Sequence, residues 1–318
     1  MKKIKTFGSY LKEKFNQRVK KIPLAVGGFT CPNIDGTVAK GGCTFCLNDS
    51  FSPHLAKNRD RIFLNLNSKD NPILDKQVKQ VIEQINADKL RFKKELGINK
   101  YIAYFQAFTN TYAPFSTLKT LYDTALEQKD IVGLSIGTRS DSVEDETLEY
   151  LQELSKTKEI WIEFGIQSIF DKTLKKINRG HNSKNVEEAI KKAKGYGLNV
   201  CGHLIFGLPD ESQEMMLKSA KVSYEWGIDS VKFHPLYVVK NTILANEYKR
   251  GDFKPISQEL YIDTLVKAIE IMPENIIVQR VSAGIDDDTL LAPAWCGQSK
   301  NEQMVKIRQA LLRREYVY

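Results

Sequence analysis

Between residues 98 and 237 the chain alternates short runs rich in β-branched and aromatic residues with longer stretches whose apolar positions recur every three or four residues. The runs KYIAYFQAF (100–108), DIVGLSIGT (130–138), EIWIEFGIQ (159–167), LNVCGHLIFG (198–207) and DSVKFHPLYV (229–238) read as strands, with PLAVGGF (23–29) as the first. Between them NPILDKQVKQVIEQI, STLKTLYDTALEQ, EDETLEYLQELSK, SKNVEEAIKKAKGYG and ESQEMMLKSAKVSYEWG read as helices, several opening on Ser, Asn or Asp. Repeated βα units predict an α/β fold, a partial (β/α)6 barrel of TIM type, whose chemistry should follow the carboxyl ends of the strands. From 251 to 318 come a helix at ISQELYIDTLVKAIEIM, a short apolar run IIVQRVS and a basic helix near EQMVKIRQALLRR, a C-terminal α/β extension. The predicted division is a basic N-terminal segment 1–22, a core 23–250 and that extension, 251–318. The loop from 48 to 70 is the least patterned stretch.

With 318 residues, 42% hydrophobic and 27% charged, the chain can bury one large core. No apolar run approaches the roughly 18–20 residues a membrane span needs. The opening MKKIKTFGSYLKEKF carries charges where a signal peptide needs its apolar segment, so the expected location is the cytoplasm, with no membrane partner. The net charge of +8 gathers partly at the two ends, in Lys2, Lys3, Lys5, Lys12, Lys14, Arg18, Lys20 and Lys21 and in Lys300, Lys306, Arg308, Arg313 and Arg314. Such ends suit a polyanion such as RNA, or simply a solvated basic surface.

Three of the five cysteines sharpen the picture. Cys31, Cys43 and Cys46 stand just after the first predicted strand, with eleven and then two residues between them. That clustering fits metal ligation better than a disulfide framework. Three thiolates can hold three irons of a four-iron cluster and leave the fourth open to a cofactor. A structural zinc site is the alternative, with His54 as its fourth ligand. Cys201 and Cys296 have no partner at ligand spacing and read as inert thiols.

Phe45 directly before the last cysteine, the E-x-G-x-Q-S run from Glu163 to Ser168, the R-G-H of Arg179 to His181 and the turn GLPDE at 207–211 occur in this order. Together they resemble the radical S-adenosylmethionine (SAM) superfamily, in its Elp3-related subgroup of YtqA/YhcC type (MnmL-like), over roughly residues 20 to 245. The resemblance implies a [4Fe–4S] cluster on Cys31, Cys43 and Cys46 that binds SAM and cleaves it to a 5′-deoxyadenosyl radical, which abstracts hydrogen from the substrate. Where most members carry Gly-Gly-Glu after the second strand, this chain has QAFTNTYAP, so Gln106, Thr109 and Asn110 are the polar contacts expected there. Arg139 is a fixed-charge fork suited to a carboxylate, on a loop that faces SAM in the subgroup. Glu163 and Gln167 share one face of their strand. A carboxylate is costly to bury alone, so Glu163 should meet the SAM ribose or else a salt bridge within the barrel.

Arg179 is expected near SAM or substrate, while Gly207 would let the backbone approach adenine and Leu236 would pack on it. Lys232, His234 and Tyr237 are candidate substrate contacts, and His203 and His181 read as satisfied histidines. By resemblance the substrate is transfer RNA, at the carbon-5 side chain of the wobble uridine, with carboxymethylaminomethyluridine converted toward aminomethyluridine (cmnm5U to nm5U type). The implied partners are tRNA, an electron donor such as flavodoxin or ferredoxin, and a SAM-dependent methyltransferase acting on the product. Two alternatives stand beside this one: a radical SAM enzyme acting on a small metabolite or protein, and a zinc-stabilised RNA-binding protein.

Overall fold

A computed structural model describes residues 1–47, 62–285 and 287–318. His54 lies outside the described residues. The chain opens with a two-residue strand, β1 (Lys2–Lys3), and helix α1 (Phe7–Phe15), which is closed at its start by a capping box between Thr6 and Ser9. There follow β2 (Val19–Leu24), α2 (Leu74–Leu96), β3 (Lys100–Phe105), α3 (Phe115–Glu127), β4 (Ile131–Thr138), α4 (Asp145–Ser155) and β5 (Glu159–Gln167). The alternation continues through α5 (Asp171–Lys176), α6 (Ser183–Gly195), β6 (Asn199–Phe206), α7 (Gln213–Glu225) and β7 (Ser230–Pro235). The chain then runs through β8 (Val238–Val239), α8 (Ile243–Arg250), α9 (Gln258–Glu270), β9 (Ile277–Arg280), β10 (Leu290–Ala292), α10 (Lys300–Leu312) and β11 (Tyr316–Val317). No helix among the described residues is long and apolar enough to cross a membrane.

The strands β2-β3-β4-β5-β6-β7-β9 form one sheet in that order, every neighbouring pair parallel. This is the expected partial barrel with two differences. The sheet has seven strands where the sequence pattern counted six, because the run IIVQRVS pairs with β7 through Ser230–Ile277, Val231–Val278 and Lys232–Arg280. An apolar strand edge left open is a pairing hazard, and the C-terminal region closes it. The first strand also lies upstream of PLAVGGF, at Val19–Leu24, because Lys21 faces the barrel interior there rather than solvent.

Period-two alternation divides each strand between two environments. On β2, Ile22 and Leu24 join Val81 and Ile85 of α2 in the main core beneath the helices, while Lys21 and Pro23 line the barrel interior. Strand β5 is buried almost throughout, as a central parallel strand must be when both faces are covered. The sheet admits no side chain at Gly133, which pairs with Glu159: an added Cβ would lie 2.7 Å from that residue's Cβ and against its carbonyl oxygen. Gly133→Ala is therefore expected to destabilise by about 1–3 kcal/mol through overpacking, read as a lower Tm in thermal denaturation. An unchanged Tm would show that the sheet absorbs the methyl group.

Candidate active site

The loop after β2 carries Cys31, Cys43 and Cys46, and all three line a cavity of ≈ 1210 Å³ inside the barrel. The loop is held by the segment after α5. Asn178 donates from Nδ2 to the carbonyls of Gly42 (2.7 Å) and Lys40 (3.1 Å), and Thr44 N donates to Ile177 O (3.0 Å). Asn33 closes the clasp through Asn178 O and donates to Cys43 Sγ at 3.6 Å. Arg179 sends Nη1 to Cys43 Sγ (3.7 Å) and Nη2 to Gly165 O (2.9 Å). Gly165 keeps this space open, since a Cβ there would sit 2.6 Å from Gln167 Nε2 and 2.7 Å from Arg179 Nη2.

The chemistry of the donor set suits a cationic metal cluster. Burial, and then the neighbouring Cys43 and Cys31, push the Cys46 thiol up to about 12, against the opposing pull of Arg179 and Arg139. A thiol held this far from ionisation is readily deprotonated only when a metal takes it as a ligand. Buried polar atoms also wait around the cavity: Arg139 Nη1, Arg179 Nε, Gln167 Oε1 and His234 Nε2 have no hydrogen-bond partner among the described residues. Arg139 is otherwise locked to Asp141 by two bonds of 2.8 and 2.6 Å. Gln167 has a φ of 66° at a register shift between β5 and β6, an irregularity of the kind that re-aims a side chain beside a site.

The residues singled out in the sequence fall in three places. Thr109, Arg139, Gln167, Arg179 and Leu236 line the cavity with the cysteines, as do Gln106, Lys232, His234 and Tyr237. Asn110 and Gly207 are not among the lining residues. The Asn110 amide donates to Gly137 O at 2.9 Å, tying together the loops after β3 and β4. Gly207, with φ +91°, is needed because a side chain would meet Ile256 at 2.7 Å. Glu163 lies deeper, 0% exposed, and both its oxygens are engaged inside the barrel, so the salt-bridge alternative describes it better than a ribose contact.

Glu163 centres a polar layer to which every strand of the sheet contributes. Lys21 of β2 reaches Glu163 Oε1 (2.6 Å), Ser135 Oγ of β4 (2.8 Å) and Gln279 Oε1 of β9 (2.7 Å). Lys232 of β7 pairs with Glu163 Oε2 and bonds Tyr104 OH of β3 at 3.0 Å, while His203 of β6 meets Oε2 at 2.7 Å. Burial alone would raise the Glu163 carboxyl, but Lys21, Lys232 and then His203 hold it well below the usual carboxylate range. Burial lowers Lys21 to about 8, partly offset by Glu163, and lowers His203 to about 4, helped by Lys232. His203 therefore donates as a neutral imidazole near pH 7. The ligand atoms of Glu163, Cys201 and His203 lie within 4.8 Å of one another, yet two lysines on the same carboxylate make this a poor seat for a cation.

Sequence reasoning counted Lys21 among the basic N-terminal residues and passed over Asn33, Tyr104, Asn178, Gln279 and Arg280. For Lys21 the signal was present, since in VKKIPL the apolar Ile22 and Leu24 alternate with it. For Gln279 and Arg280 it depended on recognising IIVQRVS as a barrel strand.

These features are those of a radical SAM enzyme, and comparison with known families agrees. The Radical SAM superfamily profile matches residues 36–222, and the Radical_SAM C-terminal domain profile matches residues 228–313. The chain belongs to the radical SAM superfamily, whose cofactors are a [4Fe–4S] cluster and SAM. This decides for the enzyme over a zinc-stabilised binding protein. Within the superfamily it stands in the Elp3-related subgroup. It is 38% identical over 296 residues to Protein YhcC of Escherichia coli K12, covering 93% of this chain and 88% of that protein. A shorter likeness, 34% over 157 residues, links 48% of this chain to 29% of the tRNA uridine(34) acetyltransferase of Methanocaldococcus infernus. The solved structure of the archaeal Methanocaldococcus infernus Elp3 with an N-terminal deletion shares the fold, with a TM-score of 0.60 at 20% identity over 93% of this chain and 63% of that one.

Proposed function

We propose that this radical SAM enzyme acts on transfer RNA, converting carboxymethylaminomethyluridine at the wobble position toward aminomethyluridine. The observation that carries the reading is the charge of the cavity. Eight Lys and Arg side chains line it against two carboxylates, Glu163 and Asp287, and three of the eight, Lys20, Arg91 and Lys300, are exposed. A polyanion finds there an attractive field continuous with the site. The parallel pairing of β1 with β11 also draws the two basic ends of the chain together. The partial likeness to a tRNA uridine(34) acetyltransferase supports the same substrate class.

In this reading Cys31, Cys43 and Cys46 hold the cluster, and Arg179 steadies the Cys43 sulfur. Arg139, Thr109 and Gln167 supply polar contacts for SAM, with the buried Leu236 as an apolar one. When bound there, cluster and SAM supply an electron and a carbon-centred 5′-deoxyadenosyl radical able to take hydrogen from an unactivated carbon. The chain's own task is to position the substrate and keep water away, which Phe45 does by packing against the cluster of Ile205, Leu208 and Leu236. A flavodoxin or ferredoxin as electron donor, and a SAM-dependent methyltransferase acting on the product, complete the proposal. The test is the modified-nucleoside profile of tRNA from a strain lacking the gene. Carboxymethylaminomethyluridine should accumulate at the expense of aminomethyluridine and its methylated product; an unchanged profile would refute the reading.

A further inference from the structure

The inner cations of the cavity form two sets. Arg139 and Arg179 act on the cysteines, as their pull on Cys46 shows. Lys21, Lys232 and Arg280 act instead on Glu163, His203 and His234, deeper in the barrel. The lower set is not neutralised. Three cations face one carboxylate, Glu163, a formal surplus of two positive charges; Lys300, which Arg280 repels, adds to it, and the neighbouring imidazoles, the Tyr104 phenol and the Cys201 thiol carry no charge near pH 7. His203 and His234 are pushed down, first by burial. Tyr104 and Cys201 are pushed up, again first by burial, Cys201 to about 12.

Two donors in this layer are unused. Lys21 and Lys232 already hold Glu163, but among the described residues no hydrogen bond or ion pair engages the Arg280 guanidinium, and His234 Nε2 is buried without a partner. Arg280 pairs in register with Lys232 across β9 and β7, His234 follows two residues along the same strand, and all three line the cavity, so the planar fork and the free imidazole nitrogen address one region. A surplus of positive charge inside the barrel is costly without an anion. A planar pair of oxygens is the acceptor that a guanidinium fork and one neighbouring N–H match best.

We infer that Arg280, His234 and Lys232 form a subsite for a carboxylate carried by the substrate, separate from the SAM contacts nearer the cysteines. The inference rests on the proposed function and deepens it. The substituent to be processed on carboxymethylaminomethyluridine ends in a carboxylate, and the aminomethyl product does not. The subsite would hold the substrate by the part it loses and release the product.

The test uses the anaerobically reconstituted enzyme, with Arg280→Gln and His234→Gln as separate variants. Wild type should bind tRNA bearing carboxymethylaminomethyluridine roughly 10- to 100-fold more tightly than the same tRNA bearing aminomethyluridine, the range for a charge-assisted contact. Each variant should lose most of that preference while keeping its affinity for SAM. In parallel, malonate should raise the Tm of wild type above that in chloride of equal ionic strength, and the shift should shrink in Arg280→Gln. A malonate shift lost in the variant, with neither tRNA bound, would uphold the anionic subsite and refute the tRNA reading. The inference falls if the variants keep the full tRNA preference, if malonate stabilises wild type and Arg280→Gln alike, or if Arg280→Gln weakens SAM binding itself.

Discussion

Cys43→Ala should abolish formation of 5′-deoxyadenosine from SAM, a loss of at least about 10³-fold, or ~4 kcal/mol of transition-state stabilisation. Cys43 is the most buried of the three cysteines, and its sulfur takes hydrogen bonds from both Asn33 and Arg179. Removing it takes away one ligand and leaves two inward donors without their acceptor. The brown colour after anaerobic reconstitution with iron and sulfide should fall with the activity, whereas Cys296→Ala, a buried thiol remote in sequence from the cluster loop, should keep both. A Cys43→Ala enzyme that retains a full complement of iron and still yields 5′-deoxyadenosine would remove Cys43 from the proposed ligand set.

The parts of this molecule legible in its sequence are those with a local signal. Strand β5 is legible at its true limits because EIWIEFGIQ is rich in β-branched and aromatic residues, and the cysteine spacing stands out because three thiols so clustered fit metal ligation better than a disulfide framework. The R-G-H segment was noticed by resemblance, but its mechanical part, clasping the cysteine loop through Asn178 and Arg179, depends on contacts across 136 residues that no window on the chain reveals. The polar layer was hidden for a related reason. Glu163, His203 and Lys232 stand out singly on their strands, but nothing along the chain joins them to Lys21, Tyr104, Ser135 and Gln279, and only closure of the sheet sets these residues around one carboxylate. The missing seventh strand had a physical cause too: IIVQRVS is too short and too polar at its end to announce itself, and it is defined by the β7 edge that it covers.

Glu163→Ala should destabilise the protein by about 3–5 kcal/mol, the cost of leaving buried charges without their partner. Lys21 and Lys232 would face each other across the vacated position, and the Lys232 side chain is only 4% exposed. At this chain length the loss corresponds to a fall in Tm of roughly 5–15 °C. The sign of the pH dependence gives a second reading. Because the folded protein holds Glu163 well below the usual carboxylate range, the stability it contributes is fully present above the unfolded pKa and is lost as pH falls through the folded one. Wild type should therefore lose its advantage over Glu163→Ala on acidification, so that the two Tm curves converge. Adding Lys232→Met to Glu163→Ala should recover part of the loss, a non-additivity expected of residues in one network. Stabilities that simply add, or a Glu163→Ala change within about 0.5 kcal/mol of wild type, as for ordinary surface substitutions, would mean that water reaches this layer and the charges are solvated rather than paired.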